Sequence, residues 1–158
     1  MNTINQNDIG SINLKNHLLR RTSFGLSNIK LHQLYDLSYE QIVEMLLAPE
    51  SQEDYNELEF FRFHPSAEFM WEHKHAKLNW FYRMAHSQRY LQEKMALFWH
   101  YVFATGDSKV ENPYAMQTQI DMFRKNGMGN YRTLLIELAK DPAMIFWLDN
   151  QENHKRAP

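Results

Sequence analysis

The chain has 158 residues, of which 44% are hydrophobic and 14% aromatic, and its formal net charge is −2. This length and apolar content indicate a globular domain with its own core and exclude an intrinsically disordered chain. The charge balance argues against a nucleic-acid surface, which is usually basic. Because the chain contains no cysteine, disulfides and thiolate zinc sites are excluded.

The N-terminal segment MNTINQNDIGSINLK is polar and lacks the apolar run of a signal peptide. No stretch approaches the roughly 20 apolar residues that a membrane-spanning helix needs. The sequence is therefore interpreted as a flexible lead-in over residues 1–10 and a single helical domain over residues 11–158. The location expected by default is cytoplasmic.

The first predicted helix begins at a Ser11 cap and ends near Arg20 and Arg21, before a turn at Gly25. Its leucines recur at helical spacing, and serine is a favourable capping residue. Two arginines in the last turn suit a helix C-terminus, where positive charge compensates the helix dipole. Arg20 and Arg21 are also candidate binding residues, but compensation of the dipole is the simpler interpretation.

Two further helices and a loop are predicted next. Ser27 begins a short helix, and Ser38 and Gln41 have the spacing of a capping box, which predicts a third helix. Residues 48–65 contain several acidic side chains followed by the aromatic sequence FFRF. This segment is predicted to be a connecting loop with at most one helical turn, and its phenylalanines are expected to pack as a satellite cluster.

The most apolar helical pattern lies near residues 88–105, in the sequence LQEKMALFWHYVFATG. Apolar residues occur on more than one side of this helix, which is typical of a buried element. A helix from a Ser66 cap to about His86 is predicted to precede it, and Gly106 is predicted to end it. The sequence therefore predicts a core helix around which the other helices are arranged.

His100 lies in the middle of this core helix, on a face that it shares with Glu93. Seven residues of helix separate the two side chains by about 10 Å along the axis. Glu93 and His100 therefore cannot bind one metal ion without residues from other helices. The simplest interpretation is a core histidine with hydrogen-bonded ring nitrogens. Both remain candidate catalytic residues; His100 is the single candidate metal ligand, and no complete metal site is predicted.

Capping signals also divide the last third of the chain. A polar turn is expected after Gly106, and caps at Asn112, Asn130 and Asp141 predict three helices, two of them with proline in the first turn. The last of these helices is apolar nearly all round and is expected to be buried. A polar segment follows, which is most simply a C-cap and turn. It supplies further catalytic or binding candidates, namely Asp149, Asn150, Asn153 and His154.

Since no strand pattern occurs, the predicted fold class is all-α. The expected architecture is an irregular bundle of about seven helices without a sheet, centred on the buried helix near residues 88–105. Neither a phosphate loop nor an H-E-x-x-H motif is present.

Three stretches together resemble a known bacterial family. They are HLLRRTSFG at residues 17–25, the core-helix sequence at 91–106, and LAKDPAMIFWLDNQENHKRAP at 138–158. They are similar to the family called domain of unknown function 1800. The resemblance implies a mostly helical protein without an agreed activity. It also implies that this chain is an incomplete, N-terminal portion of a longer domain, and many relatives are exported.

Many members of that family carry a second histidine two residues after the position of His100. Here that position is Val102. A metal site that used the second histidine would therefore be incomplete in this chain. No cofactor is assigned from the resemblance.

Two functions remain open from the sequence. The first is a helical packing or interaction module without an activity of its own, which self-associates or binds a protein partner through exposed apolar surface. The second is the N-terminal part of a hydrolase-like enzyme, with a His/carboxylate or metal site centred on His100. Neither function requires a nucleic-acid partner or a membrane span.

Overall fold

Helices form all the regular structure in the part of the chain that is described. The computed structural model describes residues 6–67 and 72–153, and within these ranges no strand occurs. Eight of the α-helices there have seven or more residues. The predicted all-α class without a sheet is confirmed, and so is the predicted number of about seven helices.

The α-helices follow one another with short connections. They are α1 (Gln6–Thr22), α2 (Asn28–Tyr35), α3 (Tyr39–Leu47), α4 (Glu57–Phe63), α5 (His73–His86), α6 (Tyr90–Val102), α7 (Asp107–Val110), α8 (Pro113–Asn126), α9 (Tyr131–Lys140) and α10 (Pro142–Trp147). Short 3₁₀ turns occupy Pro49–Ser51, Pro65–Ala67 and Asn150–Glu152. No helix in residues 6–67 or 72–153 has both the length and the hydropathy to cross a membrane.

The chain divides into two compact units. The first contains the described residues up to 55 together with residues 84–94, and the second contains the described residues from 56 to 83 and from 95 onwards. Helices α5 and α6 each contribute residues to both units.

The first unit has an aliphatic core. Helices α2 and α3 begin where capping residues predict, because Ser27 accepts a hydrogen bond at the start of α2 and Ser38 forms a capping box with Gln41 at the start of α3. The amphipathic faces of α1, α2 and α3 then bury a small set of branched side chains. These are Leu19, Leu34, Ile42 and Leu46.

Helix α1 begins at Gln6, so the predicted start at Ser11 is wrong. Apolar periodicity reports only the turns that carry regularly spaced apolar residues, and a largely polar first turn therefore escapes it. The predicted end is confirmed, with Arg20 and Arg21 in the last turn. The turn that follows contains Gly25 at φ 115°, a backbone conformation that favours glycine.

The segment predicted as a loop contains the two-turn helix α4. Phe60 is fully buried, and its ring centroid lies 5.5 Å from that of Phe61 and 5.2 Å from that of Tyr82. Phe63 is 63% exposed, so the predicted cluster is wrong for this residue. A helix this short buries a single stripe, and its last residue lies outside that stripe.

The predicted start of α5 at Ser66 is also wrong. Ser66 lies in a 3₁₀ turn that closes when the backbone N–H of Ala67 donates to His64 O at 2.9 Å. Helix α5 begins at His73 and ends at His86, and the predicted end is therefore confirmed. The intervening residues 68–71 lie outside the described part of the chain.

The second unit has an aromatic core against which α6, α8, α9 and α10 pack. The caps predicted at Asn112, Asn130 and Asp141 are all confirmed by hydrogen bonds from backbone N–H groups. Gly127 ends α8 as predicted, and a Cβ there would lie 2.7 Å from Trp99 Cδ1 and 2.4 Å from a backbone oxygen. The close approach of Trp99 therefore requires glycine.

Two expectations for the second unit are corrected. The polar turn after Gly106 is the short helix α7, which buries Val110. Helix α10 buries Met144 but leaves Phe146 43% exposed, because a six-residue helix presents one side to the core and the other to solvent.

Helix α6 is buried on one side only. In the second unit its inner side contains the fully buried Ala96, whereas Phe98, Tyr101 and Val102 are exposed by 49%, 81% and 46%. Apolar residues on two sides of a helix thus do not ensure that both sides are covered. The exposed side of α6 is a surface feature that the sequence pattern did not separate from the core.

Candidate functional site around His100

His100 lies in an aromatic environment on the inner side of α6. The Trp80 ring of α5 meets the imidazole edge-on, with ring centroids 5.4 Å apart and an interplanar angle of 84°. The Phe123 ring of α8 lies 6.4 Å away and is fully buried. These contacts fix the imidazole between three helices.

A buried chain of polar side chains runs beside the imidazole. Gln119 is fully buried, and its Nε2 donates to Asp141 Oδ1 at 2.8 Å. The Thr105 hydroxyl donates to Gln119 Oε1. The backbone N–H of Met144 donates to the same Asp141 oxygen at 2.8 Å, so Asp141 caps α10 and orients Gln119 at once.

This chain of hydrogen bonds assigns the proton on His100. Because a carboxylate only accepts, Asp141 fixes the Gln119 amide with its nitrogen toward Asp141 and its oxygen toward Thr105. The His100 side chain hydrogen-bonds Gln119, and its Nδ1 has no hydrogen-bond partner. We therefore assign the proton to Nε2, which donates to the amide oxygen and leaves a lone pair on Nδ1.

Burial controls the protonation of this cluster. It lowers the pKa of His100 below its usual value, because desolvation disfavours the imidazolium form, and the hydrogen bond to Gln119 opposes this only in part. Burial also raises the pKa of Asp141, against hydrogen bonds from Met144 and Gln119. His100 is therefore a neutral imidazole near pH 7, with a basic nitrogen that makes no hydrogen bond.

A small cavity of about 120 Å³ adjoins the imidazole. Trp80, His100 and Ile120 form part of its wall, with Thr105 from the polar chain. Lys77 and Asp107, which also line it, form an ion pair with side chains 59% and 36% exposed. The cavity wall is thus mainly apolar and aromatic. Its partly exposed Lys77 and Asp107 side chains have opposite charges that neutralise each other.

The family comparison agrees with the sequence motifs. A family model described as protein of unknown function (DUF1800) matches residues 17–158. The chain belongs to this family. Neither the comparison with curated proteins nor that with solved structures returned a match. Because the DUF1800 family is uncharacterised, a function has to be argued from the residues of this chain.

The polar segment after α10 lies at the surface of this DUF1800 chain. Asp149 is exposed, at φ 57°, and its carboxylate accepts from Lys109 Nζ at 2.7 Å. Asn153 Nδ2 donates to Asn150 Oδ1 at 3.1 Å, and both side chains are exposed. These contacts form a capping turn and do not involve His100. His154 lies outside the described residues.

The remaining candidates belong to the first unit. Arg20 and Arg21 are exposed in the last turn of α1, where they compensate the helix dipole. Glu93 is 1% exposed and lies in α6. Across residues 6–67 and 72–153, no group of three His, Cys, Asp or Glu side chains has an arrangement that could hold a metal ion.

Trp80, Thr105 and Gln119 are the residues that sequence reasoning missed. Gln119 had a detectable signal, because it interrupts the buried stripe of Met116, Ile120 and Phe123 at helical spacing. A polar residue inside such a stripe needs a buried partner. Trp80 gave no comparable signal, since a tryptophan among apolar residues resembles ordinary core.

Proposed function

We propose that the chain is a helical interaction module that pairs with a second copy of itself through an exposed aromatic face. We define this outer aromatic face by Phe98, Tyr101 and Val102 of α6 with Tyr131 and Leu135 of α9. The observation that carries the proposal is their exposure, which reaches 81% at Tyr101 and 55% at Tyr131.

The outer aromatic face is continuous because Trp99 joins its two helices. The Trp99 and Phe98 ring centroids lie 5.0 Å apart, and the Trp99 and Tyr131 rings stack at 5.7 Å. Trp99 itself is anchored, since its Nε1 donates to Gly127 O at 2.7 Å. The face therefore has a rigid aromatic foundation, and little side-chain freedom would be lost on binding.

The chemistry of the face suits a protein surface. Aromatic residues are enriched in protein interfaces and in the few positions that supply most binding energy. Monomeric proteins rarely expose large contiguous apolar patches without a partner. From Met95 to Gly106 the chain contains no Asp, Glu, Lys or Arg. With no cation between residues 95 and 106 to meet a phosphate, this part of the face does not fit nucleic acid.

A second copy is the partner that this charge pattern favours. In a two-fold dimer each surface meets itself, so a charged face would bring like charges together. The outer aromatic face has none on α6, and the net charge of −2 opposes association only weakly. A charged partner would find no complementary Asp, Glu, Lys or Arg between residues 95 and 106.

The test is the oligomeric state of the chain over a concentration series, measured by sedimentation equilibrium. We expect a reversible dimer, and we expect Phe98→Glu to weaken it at least tenfold because the two-fold axis brings two carboxylates into one interface. Phe81→Glu is the matched control, since Phe81 is an aromatic residue of α5 with 66% exposure. A monomer at every concentration overturns the proposal, and so does a dimer that Phe98→Glu leaves unchanged.

A further inference from the structure

Trp80 and His100 both line the small cavity, and each has a polar ring atom without a hydrogen-bond partner. Trp80 Nε1 and His100 Nδ1 are both buried, and neither makes a hydrogen bond. The indole nitrogen is a donor only, and Nδ1 is an acceptor because the proton lies on Nε2. Each unpaired buried group retains its full desolvation penalty, so native proteins rarely retain two together without a use.

A hydroxyl is the single chemical group that can satisfy both Trp80 Nε1 and His100 Nδ1. A hydroxyl accepts one hydrogen bond and donates another, whereas a carbonyl only accepts and an ammonium only donates. With hydrogen bonds of about 2.7–3.0 Å, a single oxygen reaches two nitrogens that are roughly 4–6 Å apart. The Trp80 and His100 ring centroids are separated by 5.4 Å, a distance that refers to the rings and not to the two nitrogens.

The cavity limits the size and charge of what can enter. Benzene occupies a cavity of about 150 Å³, so by proportion the present 120 Å³ accommodates about five non-hydrogen atoms. A charged molecule would lose its hydration against a mainly apolar wall, which is costly. Lys77 and Asp107 already neutralise each other and do not compensate it.

We propose that this cavity binds a small neutral alcohol, whose hydroxyl donates to His100 Nδ1 and accepts from Trp80 Nε1–H. Both nitrogens are buried by surrounding protein atoms. Part of the cavity wall therefore has to move before the hydroxyl can reach them. Met116 lines the cavity, and its unbranched side chain is the part of the wall that adapts at least cost. The alkyl part then contacts Ile120 and the aromatic rings.

The probe is 1-butanol, with its isomer methyl propyl ether as the matched control. The two have the same atoms and nearly the same size, but the ether cannot donate to Nδ1. We expect titration of the wild-type chain with 1-butanol to shift the NMR signals of the Trp80 indole N–H and the His100 ring nitrogens. We expect the ether to bind at least tenfold more weakly.

Variants test the two hydrogen bonds separately. His100→Phe removes the acceptor and Trp80→Phe removes the donor, and each is expected to weaken 1-butanol binding about tenfold or more. His75→Phe is the control, because His75 Nδ1 also lacks a partner but His75 does not line the cavity. Its affinity for 1-butanol should equal that of the wild type.

The wild-type titration gives an answer even if a variant does not fold. The proposal is overturned if 1-butanol leaves the Trp80 and His100 signals unchanged, which would mean that only water bridges the two nitrogens. It is also overturned if the alcohol and the ether bind equally, or if His75→Phe weakens binding as much as His100→Phe. None of these outcomes bears on the outer aromatic face.

Discussion

Helix α6 separates two regions of the second unit that have similar residues and opposite surroundings. On its inner side, His100 meets Trp80, Phe123 and a chain of buried hydrogen bonds through Gln119. On its outer side, Phe98 and Tyr101 are exposed. The inner side shows how aromatic residues stabilise a core, and the outer side shows the same residue types left available for a partner.

The difference teaches that aromatic content alone does not identify a core. Burial of an inner residue contributes to the free energy of folding, because apolar surface leaves water when the chain folds. An outer residue makes that contribution only when a second molecule covers it. Substitutions on the two sides of α6 should therefore change different measurable quantities.

The largest effect is expected from Phe123→Ala. Phe123 is fully buried, so truncation removes its apolar contacts and leaves a cavity, at a cost of about 3–5 kcal/mol in the free energy of unfolding. Urea unfolding at low protein concentration would measure it. The outer control Tyr101→Ala should stay within about 0.5 kcal/mol. Equal losses for the two variants would contradict the assignment of inner and outer sides.

A smaller loss is expected from Gln119→Leu. Leucine fits the space but leaves Asp141, Thr105 and His100 without their shared partner, which should cost about 1–3 kcal/mol in the free energy of unfolding. Gln117→Leu on the same helix is the control. Gln117 Oε1 is buried without a partner, and Gln117 Nε2 makes only an exposed hydrogen bond to Asp121 Oδ1 at 3.2 Å, so its removal should change stability by less than about 0.5 kcal/mol. If Gln119→Leu is as harmless as the control, the polar chain contributes nothing.

The pH dependence of stability tests the state of His100. Its pKa is lowered in the folded chain, so the unfolded chain takes up the proton first as the pH falls through about 6.5. The contribution of His100 to stability is therefore present above that pH and is lost below it, until the lowered folded pKa is passed. His100→Phe should make the free energy of unfolding fall less steeply between pH 7.5 and pH 5.5, roughly the window around the unfolded pKa. Identical slopes would show that His100 titrates normally.

The smallest effect is expected from Asp149→Asn. The substitution removes the exposed ion pair with Lys109 but retains a residue that tolerates the left-handed conformation. Exposed pairs contribute little, so the free energy of unfolding should change by less than about 1 kcal/mol. 1-Butanol binding should not change, since Asp149 does not line the cavity. A large loss of that binding would make Asp149 part of the site after all.

The start of α1 and the helix α4 are two helical segments that the sequence pattern did not predict. Ser11 resembles a cap, but α1 already begins at Gln6. The acidic segment before FFRF resembles a loop, but its residues from Glu57 onward belong to α4. A helix can extend through polar residues wherever solvent covers its surface, and periodicity then gives no signal. The prediction of an all-α class was correct despite these errors, because it depends on many helices and not on any one boundary.

The sequence by itself determined the all-α class, most of the helix caps and the family. Capping at Ser38, Asn112 and Asp141 depends on residues only three positions apart, so local chemistry decides it. The tertiary structure alone decided which side of α6 is covered, and it alone brought Gln119 and Trp80 to His100. These partners belong to different helices, and no short-range pattern specifies how helices pack. His100 was visible in the sequence, but its free nitrogen and adjoining cavity exist only in the folded chain.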